Sequence, residues 1–166
     1  MTSADGRCKF LDSRANGYVR SEGIGAIMLT PDACTKQAVS LSSSAVRSDG
    51  KSASLTAPNG EAQVRLLQMT SVNDQQVDVT QTTECHGTGT ALGDPIEMLS
   101  LNSALMASGS GHVAGGVKAN LGHMEPAAGM VGVVALQWNL RAATRSPSCR
   151  SATVSGCERW GSTGPR

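Results

Sequence analysis

Two histidines stand where proton chemistry is easiest to build. His86 lies in Glu84-Cys85-His86-Gly87-Thr88-Gly89-Thr90, and His123 in Lys118-Ala119-Asn120-Leu121-Gly122-His123-Met124-Glu125. Imidazole is the side chain whose ordinary pKa lies nearest neutrality, so it can give or take a proton at physiological pH. The glycines beside each histidine let a ligand approach the backbone, and the Thr88 and Thr90 hydroxyls can hold a polar chain. Lys118, at a predicted strand end, could polarise the site or pair with Glu125. Pro126 opens a predicted helix whose free N–H groups favour negative charge developing beside His123. Asn120 and Glu125 are read as residues that orient the loop. Cys85 alternates with His86 along a strand and is read as a buried structural thiol.

Rival chemistries fit these residues less well. Gly87 to Gly93 has one residue too many for a dinucleotide-binding G-x-G-x-x-G, and no acidic partner follows in a clear strand. Cys85, His86, His112 and His123 lack the short ligand pairs of a zinc site, so no metal is expected. A phosphate-binding P-loop is absent from the sequence.

The elements that must position the histidines read as alternating strands and helices. Ile24 to Leu29, between Gly23 and Pro31, suits a short buried strand, and Ala38 to Val46 a second, more polar one. Arg47 to Gly60 has the composition of an ordered loop, and Glu61 opens a helix to about Val72. Val77, Val79 and Thr83 predict a strand that delivers Cys85 and His86 at its C-terminal end. Asp94-Pro95-Ile96-Glu97 predicts a helix start, with Asp94 as N-cap and Glu97 closing a capping box. Met98, Leu101 and Leu105 repeat on one face of that helix, which ends at Gly109-Ser110-Gly111. His112 to Val117 is a further strand, Lys118 to Glu125 the loop beyond it, and Pro126 to Leu140 a buried apolar helix. This order implies a parallel α/β layer with crossover helices and a binding crevice at the strand C-termini, where both histidine loops lie. From Arg141 onward no periodicity survives, which predicts a disordered tail.

Composition narrows the function classes. The chain of 166 residues carries 14 basic and 13 acidic residues, a net charge of +1, which leaves no footprint for nucleic acid or anionic lipid. The apolar run Ala127 to Leu136 is too short to span a membrane. Five cysteines, an odd number at irregular spacing, argue against a disulfide framework and for a reducing compartment. A cytoplasmic location is expected, with an organellar address on a parent chain left open.

At these motifs the chain resembles the β-ketoacyl synthases, the condensing enzymes of polyketide and fatty-acid synthesis, which have the thiolase-like fold. Glu84 to Thr90 followed by Leu92-Gly93-Asp94-Pro95-Ile96-Glu97 is similar to the family's first histidine motif, and Lys118 to Gly129 to its second. Asp5-Gly6-Arg7-Cys8-Lys9-Phe10, Asn16-Gly17-Tyr18-Val19-Arg20-Ser21-Glu22-Gly23 and Leu55-Thr56-Ala57-Pro58-Asn59-Gly60 are similar to the segments before them, especially in modular polyketide synthases. The resemblance implies a partial synthase domain over 4–140 and an incomplete thiolase-like fold, followed by a tail, 141–166, that resembles nothing in the family.

It further implies a Cys-His-His reaction: a cysteine takes an acyl chain as a thioester, and two histidines assist malonyl decarboxylation and stabilise the resulting enolate. His86 and His123 would fill the histidine roles with Lys118 in support, and Thr88 and Thr90 would bind the phosphopantetheine arm of an acyl carrier protein. No cofactor would be bound directly. The nucleophilic cysteine belongs to a segment before Asp5; Cys8, Cys34 and Cys85 do not align with it, so the isolated chain is expected not to condense substrates. The partners implied are acyl carrier protein bearing acyl or malonyl thioesters, and a synthase homodimer or parent multidomain chain. The alternative is a non-catalytic thiolase-like protein that binds a carrier or a synthase partner.

Overall fold

A computed structural model describes residues 2–31, 39–52, 54, 57–70, 81–105, 112–142 and 152–153. Asn59 starts the first helix, α1 (Gly60–Thr70), by accepting the Ala62 N–H on its side-chain oxygen at 3.2 Å. Residues 71 and 72 of the expected helix lie outside the described residues, as do Val77 and Val79. Strand β1 (Gln81–Glu84) contains Thr83 and pairs in parallel with β2 (His112–Gly115), Gln81 opposite His112 and Glu84 opposite Gly115. Helix α2 (Gly93–Leu105) connects them, giving the expected parallel β-α-β unit. A one-turn helix, α3 (Lys118–Leu121), a 3₁₀ turn (Glu125–Ala127) and α4 (Ala128–Ala142) follow. Strand β3 (Ala152–Thr153) then pairs antiparallel with β2, making a mixed sheet of order β1-β2-β3. Within the expected tail, 141–142 close α4 and 152–153 form β3; its other residues lie outside those described.

Several expectations are corrected. Ile24 to Leu29 forms no strand and is exposed, as are the described residues of Ala38 to Val46 apart from a half-buried Ala45; residue 38 is outside the description. An apolar run becomes a strand only when a neighbour completes its hydrogen-bond ladder, and no described strand lies beside either segment. Lys118 to Glu125 is not all loop, because its first turn is α3. Helix α4 packs against β1 but is not buried: Trp138 is 72% exposed, and Val133, Val134 and Leu140 face solvent too. One sheet face covers one stripe of a helix, and the rest of this apolar surface has no described element over it.

The start of α2 also departs from the capping box. Thr90, not Asp94, caps it, accepting the Gly93 N–H at 3.1 Å. The two carboxylates reach back to the preceding loop instead. Asp94 accepts the N–H of Gly89 at 3.1 Å and of Leu11 at 3.4 Å, while Glu97 accepts those of His86 at 2.5 Å and Gly87 at 2.9 Å. Loop amides with no strand partner were the more pressing donors to satisfy.

Among the described residues, Phe10, Cys85, Met98, Leu101 and Ala114 form a buried core cluster, with Leu11, Leu67 and Leu105 packed on it. Phe10, 0% exposed, is its centre. A Cβ added at Gly87 would lie 2.9 Å from the Phe10 ring, and one at Gly116 2.8 Å from it. Gly87 has the further constraint of φ +47°, a left-handed conformation that glycine adopts without strain. Phe10→Ala should therefore destabilise the chain by about 3–5 kcal/mol through the cavity it leaves, and Gly116→Ala by about 1–3 kcal/mol through overpacking. Urea denaturation followed by circular dichroism would measure both; a Gly116→Ala chain as stable as the parent would contradict the close packing.

Candidate active site

His86 leaves the C-terminal end of β1. The Cys85 N–H continues the ladder to the Gly115 carbonyl at 2.8 Å, after which Glu97 takes over the amides of His86 and Gly87. Alternation along the strand sends Cys85 into the core and His86 outward. The second histidine loop leaves the neighbouring strand at the same end. There the Glu84 carboxylate accepts the Val117 N–H at 2.6 Å, which anchors the start of α3 to β1.

His123 is held along its backbone by an N-terminal segment. Its N–H donates to the Val19 carbonyl at 2.8 Å, and its carbonyl accepts from the Ser21 N–H at 3.0 Å. The two loops bring the imidazoles together with ring centroids 5.2 Å apart and planes at 86°. Tyr18 packs edge-on against the other side of His123, with centroids 5.2 Å apart and planes at 73°. Sequence reasoning did not name Tyr18 as a site residue. Its signal was that it is one of the chain's few aromatic residues and lies in one of the quoted motifs.

Both imidazoles are biased towards the neutral form. Protein crowded around His86 lowers its pKa to about 4, with the Lys118 ammonium and then His123 adding to the effect, although the residue as a whole is exposed. His123 is lowered by the same causes, desolvation first and Lys118 second, with Glu125 opposing. The Glu125 N–H donates to His123 Nδ1 at 3.2 Å. A backbone amide can only donate, so this bond assigns the imidazole proton to Nε2. His123 thus offers an N–H donor on its free edge.

Lys118 is buried, 4% exposed. The expected partnership with Glu125 is corrected: Glu125 accepts from Arg20 Nε at 2.7 Å. After desolvation, the Lys118 ammonium acts on both histidines in the same direction. Asn120 closes the first turn of α3, its N–H donating to the Val117 carbonyl at 3.0 Å.

Thr88 and Thr90 are 7% and 9% exposed, with hydroxyl oxygens 3.4 Å apart. Thr90 already accepts from Gly93. Cys8 and Cys85 are buried, and burial pushes both thiols up, which suits structural rather than nucleophilic sulfur. Cys34 lies outside the described residues. His112 bonds to Thr83 at the far end of the strand pair, and no cluster of three or more potential metal ligands occurs among the described residues.

The shifts carry opposite signs for stability. Unfolded His86 binds a proton near its ordinary 6.5, but folded His86 only near 4. Its contribution is therefore present above the former value and lost as pH falls towards the latter. Burial raises Asp94 from 3.8 to about 6, so its contribution is full below 3.8 and lost as pH rises through about 6. The two offset one another, which makes the rings themselves the cleaner probe. In Lys118→Met, the histidine C2–H resonances followed by NMR against pH should report a higher pKa for both His86 and His123. Unchanged values at both would remove Lys118 from the electrostatics of the site.

Comparison with known proteins now bears on this geometry. Residues 38–151 match the family described as "Beta-ketoacyl synthase, C-terminal domain", and residues 1–33 "Beta-ketoacyl synthase, N-terminal domain". The C-terminal match therefore extends into the first part of the tail expected from residue 141. The chain is 43% identical over 143 residues to a phenolphthiocerol/phthiocerol polyketide synthase of Mycobacterium tuberculosis, an alignment covering 81% of this chain and 6% of that protein. To a highly reducing polyketide synthase of Emericella nidulans it is 39% identical over 144 residues, again 81% of this chain and 6% of the relative. Among solved structures, the ketosynthase from module 6 of the bacillaene synthase of Bacillus subtilis 168, as a C167S mutant, superimposes with a TM-score of 0.65 at 27% identity, covering 86% of this chain and 27% of that one. An oxazolomycin ketosynthase domain from Streptomyces albus JA3453 gives a TM-score of 0.66 at 27% identity, covering 84% and 26%. This chain spans about a quarter of those ketosynthases, and their fold is the thiolase-like one that its mixed sheet partly reproduces. Matched over more than half its length, the chain belongs to the β-ketoacyl synthase family, as a portion of a polyketide-synthase ketosynthase domain.

Proposed function

We propose that this chain supplies the decarboxylating half of a β-ketoacyl synthase site, which joins acyl and malonyl thioesters carried by an acyl carrier protein. The observation that carries the proposal is the perpendicular pair of neutral imidazoles, His86 and His123, 5.2 Å apart on the loops beyond two parallel strands. When a malonyl thioester loses carbon dioxide, the bond to its carboxylate breaks and the electron pair moves into an enolate, placing negative charge on the thioester oxygen. His123 Nε2–H is a donor suited to that oxygen, and His86 is the second. Neutral donors serve here because they hold a developing charge without surrendering a proton. Burial first, and the Lys118 ammonium after it, keep the pair neutral by opposing imidazolium formation.

One of the Thr88 and Thr90 hydroxyls donates to the other, which leaves one O–H donor, the group that an amide carbonyl of a phosphopantetheine arm requires, so their chemistry fits that arm. The attacked acyl thioester would be held by a cysteine of the complete domain, a role that neither buried Cys8 nor buried Cys85 can take.

The second reading, a non-catalytic module that binds a carrier or synthase partner, is favoured by one observation, the apolar surface exposed on α4 and over Ile24 to Leu29. Both readings are tested by joining the chain to a cysteine-bearing ketosynthase portion and supplying malonyl-loaded carrier. Condensation should fall about 10²- to 10⁴-fold in His123→Ala and in His86→Ala. Full rates in both variants would sink the first reading, and carrier binding that persists without any turnover would favour the second.

A further inference from the structure

We infer that Arg20 and Glu125 form a clamp that fixes the tautomer and the aim of His123, as positioning residues rather than groups that touch substrate. The inference deepens the function proposed above and rests on it for the clamp's use in catalysis. It begins in the backbone. The Val19 carbonyl and the Ser21 N–H bond to the N–H and carbonyl of His123, which makes Arg20 its register partner in a short parallel bridge. The Arg20 Cα, and with it the root of its side chain, is thereby set beside His123.

That side chain then holds Glu125, whose own amide touches His123. Arg20 Nε donates to Glu125 Oε1 at 2.7 Å. The Tyr18 ring packs edge-on against the imidazole, while the Glu125 N–H donates to its Nδ1. The Tyr18 contact limits the swing of the ring, and the Glu125 amide, the group the clamp holds, sets which nitrogen carries the proton.

The backbone at Glu125 shows what the clamp acts against. Its φ is +46°, in the left-handed region that residues with a Cβ enter infrequently. This φ sets where the Glu125 side chain lies relative to its own amide, while the amide itself is turned towards His123 by Met124, at φ −83° and ψ 13°. An exposed ion pair adds little to stability, so an ordinary surface role would leave this conformation without support. Closed into a ring through the Arg20–His123 bridge, the same pair holds the amide on Nδ1 and leaves Nε2–H on the free edge.

The test needs neither carrier nor turnover, so it can fail separately from the proposed function. In the full chain labelled with ¹⁵N, Nδ1 of His123 should resonate as an unprotonated, hydrogen-bonded nitrogen. Arg20→Ala and Glu125→Gln should each shift that resonance and speed hydrogen exchange at the Glu125 amide about threefold. Arg20→Lys, which keeps the charge but loses the planar fork, should fall between them and the parent. The Gly122 amide, bonded to the Lys118 carbonyl at 2.9 Å in the same loop, is the internal reference and should keep its rate. An unchanged Nδ1 resonance and Glu125 exchange rate in Arg20→Ala would overturn the clamp. Equal acceleration at Gly122 would also overturn it, since Arg20 would then hold the whole loop rather than His123.

Discussion

The Phe10 ring lies between Gly87 and Gly116, and the geometry of the site depends on that wedge. One glycine follows His86 and the other introduces Lys118. A ring gripped between the two loops sets their separation, and neither position has room for a Cβ. Because dense interiors transmit displacement, a shift of Phe10 would move both loops together. The residue that spaces the site thus comes from a segment distant in sequence and carries no reactive group itself.

Around this wedge the carboxylates do structural work that their position in the chain disguises. Asp94 ties Leu11 to Gly89, Glu97 gathers the amides after β1, and Glu84 anchors the start of the Lys118 turn. Each satisfies backbone donors that neither sheet nor helix can reach. The same anchoring keeps Lys118 buried near both imidazoles, where its charge and desolvation act in one direction. Neutral histidines at this site are consequently a product of packing as much as of the residues' own chemistry.

Much of this was legible from residue order. Parallel pairing followed from a strand, a helix and a second strand in succession, and the placement of both histidines beyond strand ends followed from the same pattern. Ile24 to Leu29 and α4 were misread for a common reason. Apolar composition reports that a segment can be buried, but burial requires a covering element: β1 reaches only one side of α4, and no described strand lies beside Ile24 to Leu29. The cap at α2 was misassigned because Thr90, Asp94 and Glu97 all have the chemistry to cap. Only the position of unsatisfied loop amides decides among them.

By itself, the sequence determined which side chains have the chemistry proposed for the site, the two histidines, the lysine and the threonines, and the local periodicities that place the histidines beyond strand ends. Those properties depend on residue type and short-range spacing, which a linear chain displays directly. Tertiary structure alone decided that the imidazoles meet at 5.2 Å, that Tyr18 flanks one of them, and that Glu125 pairs with Arg20 rather than Lys118. Those contacts join residues up to 105 positions apart, and no local preference encodes a distance that is set by how a buried phenylalanine spaces two loops.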